Sequence, residues 1–123
     1  MTPGPVFVVT GAPASGKSTV CAALMRRFPF GIRIPVDDLR EWVVSGIAHP
    51  TEWSDETTRQ FAIAEEAAAD VAIRYSDRGF AVAIDHCQET ASLDAWIARR
   101  FGDREIVRAV LVPDLWVNLE RNR

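Results

Sequence analysis

Gly11-Ala12-Pro13-Ala14-Ser15-Gly16-Lys17-Ser18 reads G-x-x-x-x-G-K-[ST], and each fixed position meets a physical requirement. Gly11 and Gly16 let the backbone take positive-φ conformations and approach a polyphosphate without a Cβ in the way. The turn through Ala12, Pro13, Ala14 and Ser15 then aims its amide N–H groups at phosphate oxygens as an anion nest. A helix starting just after, with Ser18 and Thr19 in its first turn, adds unsatisfied N–H groups and the positive end of its dipole. Lys17 is long enough to reach β- and γ-phosphates, and the Ser18 hydroxyl suits a Mg²⁺ ion.

At average residue frequencies the four fixed positions match by chance in roughly one chain of this length in a few hundred. The flanks narrow it further. Val6-Phe7-Val8-Val9-Thr10 is a β-branched apolar run of the kind a buried parallel strand needs. Ser18 to Arg27 carries Val20, Ala23 and Leu24 at helical spacing, with Phe28-Pro29 closing it. Strand, loop and helix fall in the order that phosphate binding requires.

Working outward, Ile32-Arg33-Ile34-Pro35-Val36 alternates like a short second strand with Pro35 at its end or on an edge. Asp37 and Asp38 open a helix whose apolar face is Leu39, Trp42 and Val43, stopped by Ser45-Gly46. Residues 47 to 53 read as loop. A long helix from Ser54 or Asp55 to Arg78 is marked by Phe61, Ala64, Glu65, Ala68, Val71, Ala72 and Tyr75, with Gly79 placed as its C-terminal cap. Phe80-Ala81-Val82-Ala83-Ile84 is a second buried strand ending on Asp85. Ala91 to Phe101 is a helix with Leu93, Trp96 and Ile97 inward, Ile106 to Val112 a strand, and Pro113-Asp114 the start of a last helix with Leu115, Trp116 and Leu119.

Strands alternating with helices give an α/β fold, a parallel sheet with helices on both faces and right-handed crossovers. Its ligand crevice lies beyond the carboxyl ends of the strands. The Gly-rich loop, Asp37, Asp85 and the segment after Val112 all fall at those ends. With 123 residues the chain has material for one domain, 1–123, and one core.

Composition excludes several classes. The chain is 48% apolar and 25% charged, ordinary for a globular protein. A net charge of −3 carries no footprint for non-specific nucleic-acid binding, although a nucleic-acid end remains open as a local ligand. No apolar run approaches the roughly 18 residues of a membrane span, and no signal peptide opens the chain. Cys21 and Cys87 are too few for a metal site of their own and read as free thiols in a reducing cytoplasm. Nothing fixes an oligomeric state.

The loop Gly11 to Ser18, Val36-Asp37-Asp38-Leu39-Arg40, Ile84-Asp85, and Val112-Pro113 followed by Leu119-Glu120-Arg121-Asn122-Arg123 resemble the 5′-kinase domain of polynucleotide kinases. More broadly they are similar to the small P-loop kinases grouped with zeta toxins, gluconate kinases and chloramphenicol phosphotransferases. The resemblance implies a three-layer P-loop NTPase fold using ATP and Mg²⁺. It implies Lys17 on the phosphates, Asp37 as general base for an acceptor hydroxyl, and Arg40 on an acceptor phosphate or the γ-phosphate. Asp85 would hold Mg²⁺ with Ser18, and Arg121 would begin an arginine-bearing lid. It also implies further lid, a strand and an adenine-cradling segment past Arg123, so the fold is expected to be truncated at its C-terminus.

For each residue a plainer role stands beside this one. Asp37 and Asp38 suit a helix start on dipole grounds alone, Asp85 suits a strand-end turn, and Arg121 suits a helix C-terminus. His86 reads as a polar rim residue, His49 as a loop residue, and the tryptophans as core, with Trp53 a candidate for stacking on a ligand. The function expected is transfer of the γ-phosphoryl group of ATP to a hydroxyl acceptor: a polynucleotide 5′-end, a nucleotide-sugar or a small alcohol. The alternative is an ATP-binding or hydrolysing module, or a switch, without phosphoacceptor activity.

Overall fold

The apolar run ahead of the Gly-rich loop becomes the first strand, β1 (Val6–Gly11), and α1 (Lys17–Met25) follows the loop. The chain then forms β2 (Gly31–Pro35), α2 (Val36–Glu41), α3 (Asp55–Asp77), β3 (Ala81–His86), α4 (Ala91–Phe101) and β4 (Ile106–Leu111). This computed structural model describes residues 2–11, 16–87 and 91–111. The expected helix after Val112 and the expected lid residue Arg121 lie outside them.

The strands form one parallel sheet in the order β2-β3-β1-β4. Period-two alternation divides their side chains between two faces. Val6, Val8, Ile34, Val82 and Ile84 turn toward α3 and α4, where Ala64, Ala68, Ala69, Ala72, Leu93, Trp96 and Phe101 complete the larger core. Val9, Ala81 and Ala83 turn the other way, onto Cys21 and Met25 of α1. Helices therefore cover both faces, and the three-layer P-loop architecture is the one observed. β3 is buried along its whole length, as a strand covered on both faces must be.

The alanines of α3 explain its length and closeness. Ala68, Ala69 and Ala72 are fully buried, so the 23-residue helix lies directly on the sheet without large side chains between. Ser54 caps its start: the hydroxyl accepts from the Thr57 amide while the Thr57 hydroxyl accepts from the Ser54 amide. Gly79 ends it in the left-handed conformation (φ 89), with Gly79 N–H on the Ser76 carbonyl and Phe80 N–H on the Tyr75 carbonyl. That is a Schellman motif, and Phe80 packs edge-on against Tyr75 across it at 5.1 Å. Buried Gln60 ties down the loop before the helix, accepting from Ala48 N–H at 2.9 Å and donating to the Gly46 carbonyl at 2.8 Å.

Several expectations about individual faces are corrected. Val20 and Ala23 are exposed, because the buried stripe of α1 runs through Cys21 and Met25 with Leu24 beside them. Tyr75 and Trp42 are also on the surface, Trp42 at 73% exposure. α2 stops at Glu41, so Trp42 caps it and Val43 lies beyond. His86 is not a rim residue: β3 runs one residue past Asp85, and alternation turns His86 into the α3–α4 side, 1% exposed. There its Nε2 lies 2.7 Å from Glu65 and its ring 5.8 Å from Trp96.

Candidate functional site

The carboxyl end of β3 delivers Asp85 to the face covered by α1, directly opposite the start of that helix. Gly16 precedes the helix in the left-handed conformation (φ 85), and a Cβ added there would meet nothing within 4 Å. The glycine is needed for its backbone angle, and the space above it is open. Gly11 is the last strand residue of β1, paired with Leu111, and unlike Gly16 it does not take the positive φ expected of it. Lys17 and Ser18 occupy the first turn of α1, and Thr19 beside them is exposed. Ala12, Pro13, Ala14 and Ser15 lie outside the described residues.

Asp85 gathers three donors. Lys17 Nζ donates to Oδ1 at 2.6 Å, Ser18 Oγ to Oδ2 at 3.1 Å, and Arg33 Nη1 to Oδ2 at 2.9 Å. The carboxylate is only 4% exposed, so it is held in low-dielectric surroundings where an unpaired charge would be costly. Lysine and serine from the helix start thus meet the strand-end aspartate. Cys21 lies fully buried below this group. Burial, and next the negative charge of Asp85, push its thiol up to about 11, against the opposing pull of Arg33 and Lys17.

The hydroxyl of Ser18 and a carboxylate oxygen of Asp85 are hard donors already converging, which fits a hard divalent cation such as Mg²⁺. Among the described residues there is no group of three or more His, Cys, Asp or Glu side chains able to hold a metal by themselves. A cation at this place would take its remaining ligands from phosphate and water.

A second group stands on the same rim. Asp37 in the first turn of α2 is half-exposed, and Arg40 one turn on is buried, 7% exposed. Arg40 Nε lies 3.8 Å from Asp37 Oδ1, an ion-pair distance too long for a hydrogen bond. Its guanidinium stacks 3.8 Å over the Phe61 ring. Nε and Nη1 are buried with no hydrogen-bond partner among the described residues. A buried N–H left without a partner costs roughly 1–3 kcal/mol. Trp53 stacks on the same Phe61 at 5.1 Å and is half-exposed; its indole N–H is already given to Thr58. The Cys87 thiol donates to Asp37 Oδ1 at 3.6 Å. Burial first, then the charge of Asp37 and this hydrogen bond, raise the Cys87 pKa.

Sequence reasoning thus names Lys17, Ser18, Asp85, Asp37 and Arg40, and the structure sets them at one end of the sheet. It misses Arg33 and Cys87. Arg33 carries a usable signal, a charge in the middle of an Ile-Arg-Ile strand whose face must be covered by a helix. Cys87 carries none, because its contact with Asp37 spans 50 positions in the chain.

Comparison with known proteins agrees with this geometry. A family profile described as AAA domain matches residues 6–115. No curated protein is similar enough to match. Among solved structures, the Pnkp1/Rnl/Hen1 complex superposes with a TM-score of 0.71 at 18% identity, over 100% of this chain and 40% of the other. The Mycobacterium tuberculosis APS kinase CysC in complex with AMPPNP and APS gives 0.73 at 18% identity, over 99% of this chain and 70% of that one. The Deinococcus radiodurans tunicamycin resistance protein gives 0.69 at 18% identity, over 98% and 69%. At such identities the likeness is one of fold, and the chain spans less than half of the first of these proteins. No helix among the described residues is long and apolar enough to cross a membrane. With nine-tenths of its length matched, the strand–loop–helix at its start and the parallel sheet behind it, the chain belongs to the AAA domain family of P-loop proteins.

Proposed function

We propose that this chain is an ATP-dependent phosphotransferase that moves the γ-phosphoryl group to a hydroxyl acceptor. The observation that carries the proposal is the pairing of two sites on one rim. One is Lys17 and Ser18 gathered on Asp85; the other is Asp37 beside Arg40, whose Nε and Nη1 make no hydrogen bond among the described residues. A protein that only bound or hydrolysed nucleotide would need the first and not the second.

Gly16 and the N–H groups at the start of α1 cradle the phosphates, with Gly11 to Ser15 and Thr19 as the rest of the loop's wall. Lys17 leaves Asp85 for the β- and γ-phosphates, a short swing for a four-carbon side chain that is 16% exposed. Ser18 and Asp85 would hold Mg²⁺, which would offset charge on the β- and γ-phosphate oxygens.

At the acceptor side Asp37 takes the proton of the attacking hydroxyl as its oxygen bonds to γ-phosphorus. The bond from γ-phosphorus to the β,γ-bridging oxygen breaks, and ADP leaves. The Cys87 thiol fixes Asp37 through Oδ1, which leaves Oδ2 for the acceptor. Arg40 supplies its unmet N–H groups to a phosphate, either on the acceptor or on the group in transfer, and Arg121 of the expected lid would add a second cation. A phosphorylated acceptor is favoured over a neutral alcohol because a guanidinium this deeply buried is poorly matched by a neutral oxygen.

The test is ADP release from ATP and Mg²⁺ with a panel of acceptors: a 3′-phosphorylated nucleoside, a 5′-hydroxyl oligonucleotide, a nucleotide-sugar and a simple sugar. One acceptor should stimulate turnover in the wild type and not in Asp37→Asn, with ATP affinity unchanged. An ADP-release rate indifferent to every acceptor and to Asp37→Asn would leave a nucleotide-hydrolysing module or switch.

A further inference from the structure

We propose that Arg33 makes binding of a divalent cation at Asp85 depend on nucleotide. This rests on reading Ser18 and Asp85 as the metal side of a nucleotide site, and goes beyond that reading by giving Arg33 a positioning role through Asp85.

Arg33 lies in the interior of β2, opposite Ala83 of β3, on the sheet face covered by α1. A parallel strand covered by a helix is a poor place for an arginine, and its neighbours Ile32 and Ile34 face the other core. The side chain runs along the sheet to the next strand's end and puts Nη1 2.9 Å from Asp85 Oδ2. That is the oxygen to which Ser18 also donates. The oxygen best placed to share a metal with Ser18 is therefore held by a guanidinium, while Lys17 holds the other.

The balance of charge sets the site's response to a cation. Asp85 contributes one negative charge, Lys17 and Arg33 one positive charge each, so these three groups sum to one positive charge. The buried thiol of Cys21, also near, stays neutral well above physiological pH. A free divalent cation arriving there meets a positive site and a carboxylate with both oxygens engaged. A polyphosphate reverses this: it draws Lys17 away, brings several negative charges, and supplies most of the ligands itself. Asp85 with Lys17 alone would be neutral, so Arg33 is what tips the nucleotide-free site against bare metal. The contact is a single charge-assisted hydrogen bond, so any cation that reaches Oδ2 can serve, which is why Arg33→Lys is the conservative control.

Mn²⁺ is the probe, its free concentration read by electron paramagnetic resonance. Wild type, Arg33→Lys and Arg33→Met are titrated without nucleotide and with saturating ADP; Arg33→Gln replaces the Met variant if that does not fold. Wild type and Arg33→Lys are expected to bind Mn²⁺ weakly alone and much more tightly with ADP. Arg33→Met is expected to bind Mn²⁺ alone about tenfold or more tightly than wild type, since one nearby unit charge in a partly buried site is worth at least that much. The ratio between the two conditions then shrinks. Nucleotide-free Mn²⁺ binding by Arg33→Met no tighter than wild type, with ADP still bound, overturns the proposal and leaves the nucleotide site standing. Failure of the wild type to bind ADP overturns the nucleotide reading itself.

Discussion

Replacing Asp85 by Asn keeps the side-chain volume and removes one charge from beneath three donors, so its effects can be worked out separately. Lys17 at 2.6 Å is largely buried with Asp85, and orphaning such a cation costs roughly 3–5 kcal/mol. Arg33 is about one-third exposed at 2.9 Å, and water takes up most of its loss, so its share is about 1 kcal/mol or less. The Asn carbonyl oxygen still accepts one hydrogen bond and returns about 1 kcal/mol. The net expectation is destabilisation by about 2–5 kcal/mol in nucleotide-free, metal-free buffer. The same change leaves two cations facing the phosphate-binding loop without a counter-charge, so pyrophosphate in EDTA should bind Asp85→Asn more tightly than wild type. Added ligand stabilises by RT ln(1 + [L]/Kd), so urea unfolding with and without pyrophosphate reads both effects. An Asp85→Asn protein as stable as wild type, and no more stabilised by pyrophosphate, would refute the view that Asp85 is the counter-charge of Lys17 and Arg33 when no phosphate is bound.

Arg40→Met should leave stability unchanged or raise it by about 1 kcal/mol, because it removes unmet buried N–H groups while keeping apolar contact with Phe61; phosphorylated acceptors should at the same time lose at least tenfold in KM. Urea unfolding and initial rates check the two halves. Ala72→Leu should cost about 1–3 kcal/mol, since α3 rests directly on the sheet there, and its thermal midpoint should fall accordingly. The Cys21 thiol titrates near 11 in the folded chain and near 9 when unfolded, so between those values the unfolded chain gives up a proton the folded chain keeps. Stability is therefore full below about pH 9 and falls as pH rises, by up to about 1.4 kcal/mol per pH unit relative to Cys21→Ala. Urea titrations of both proteins at pH 8, 9.5 and 10.5 measure that difference.

The range of the interactions separates the features legible in the sequence from those it conceals. The apolar strands and the 23-residue helix are local patterns, and each element forms where its pattern lies. Asp37 and Asp85 are legible because strand ends and helix starts lie at the ligand rim of any parallel α/β sheet, whereas Arg40 is singled out only by the resemblance. Faces are less legible. Spacing puts Val20 with the apolar residues of α1, yet it sits one position before Cys21 and is turned about a quarter of a circle from the buried stripe. His86 reads as rim only if β3 ends at Asp85; one further residue of strand sends it inward to Glu65. Arg33 and Cys87 escape because their roles come from partners 52 and 50 positions away, which no local period encodes.

The most direct measurement is the fate of the terminal phosphate of [γ-³²P]ATP, incubated with Mg²⁺, the wild-type chain and each acceptor, and resolved by thin-layer chromatography. Label on an acceptor hydroxyl, absent with Asp37→Asn and with Lys17→Met, is the result expected of a phosphotransferase. Label found only as inorganic phosphate, at a rate no acceptor changes, would contradict it.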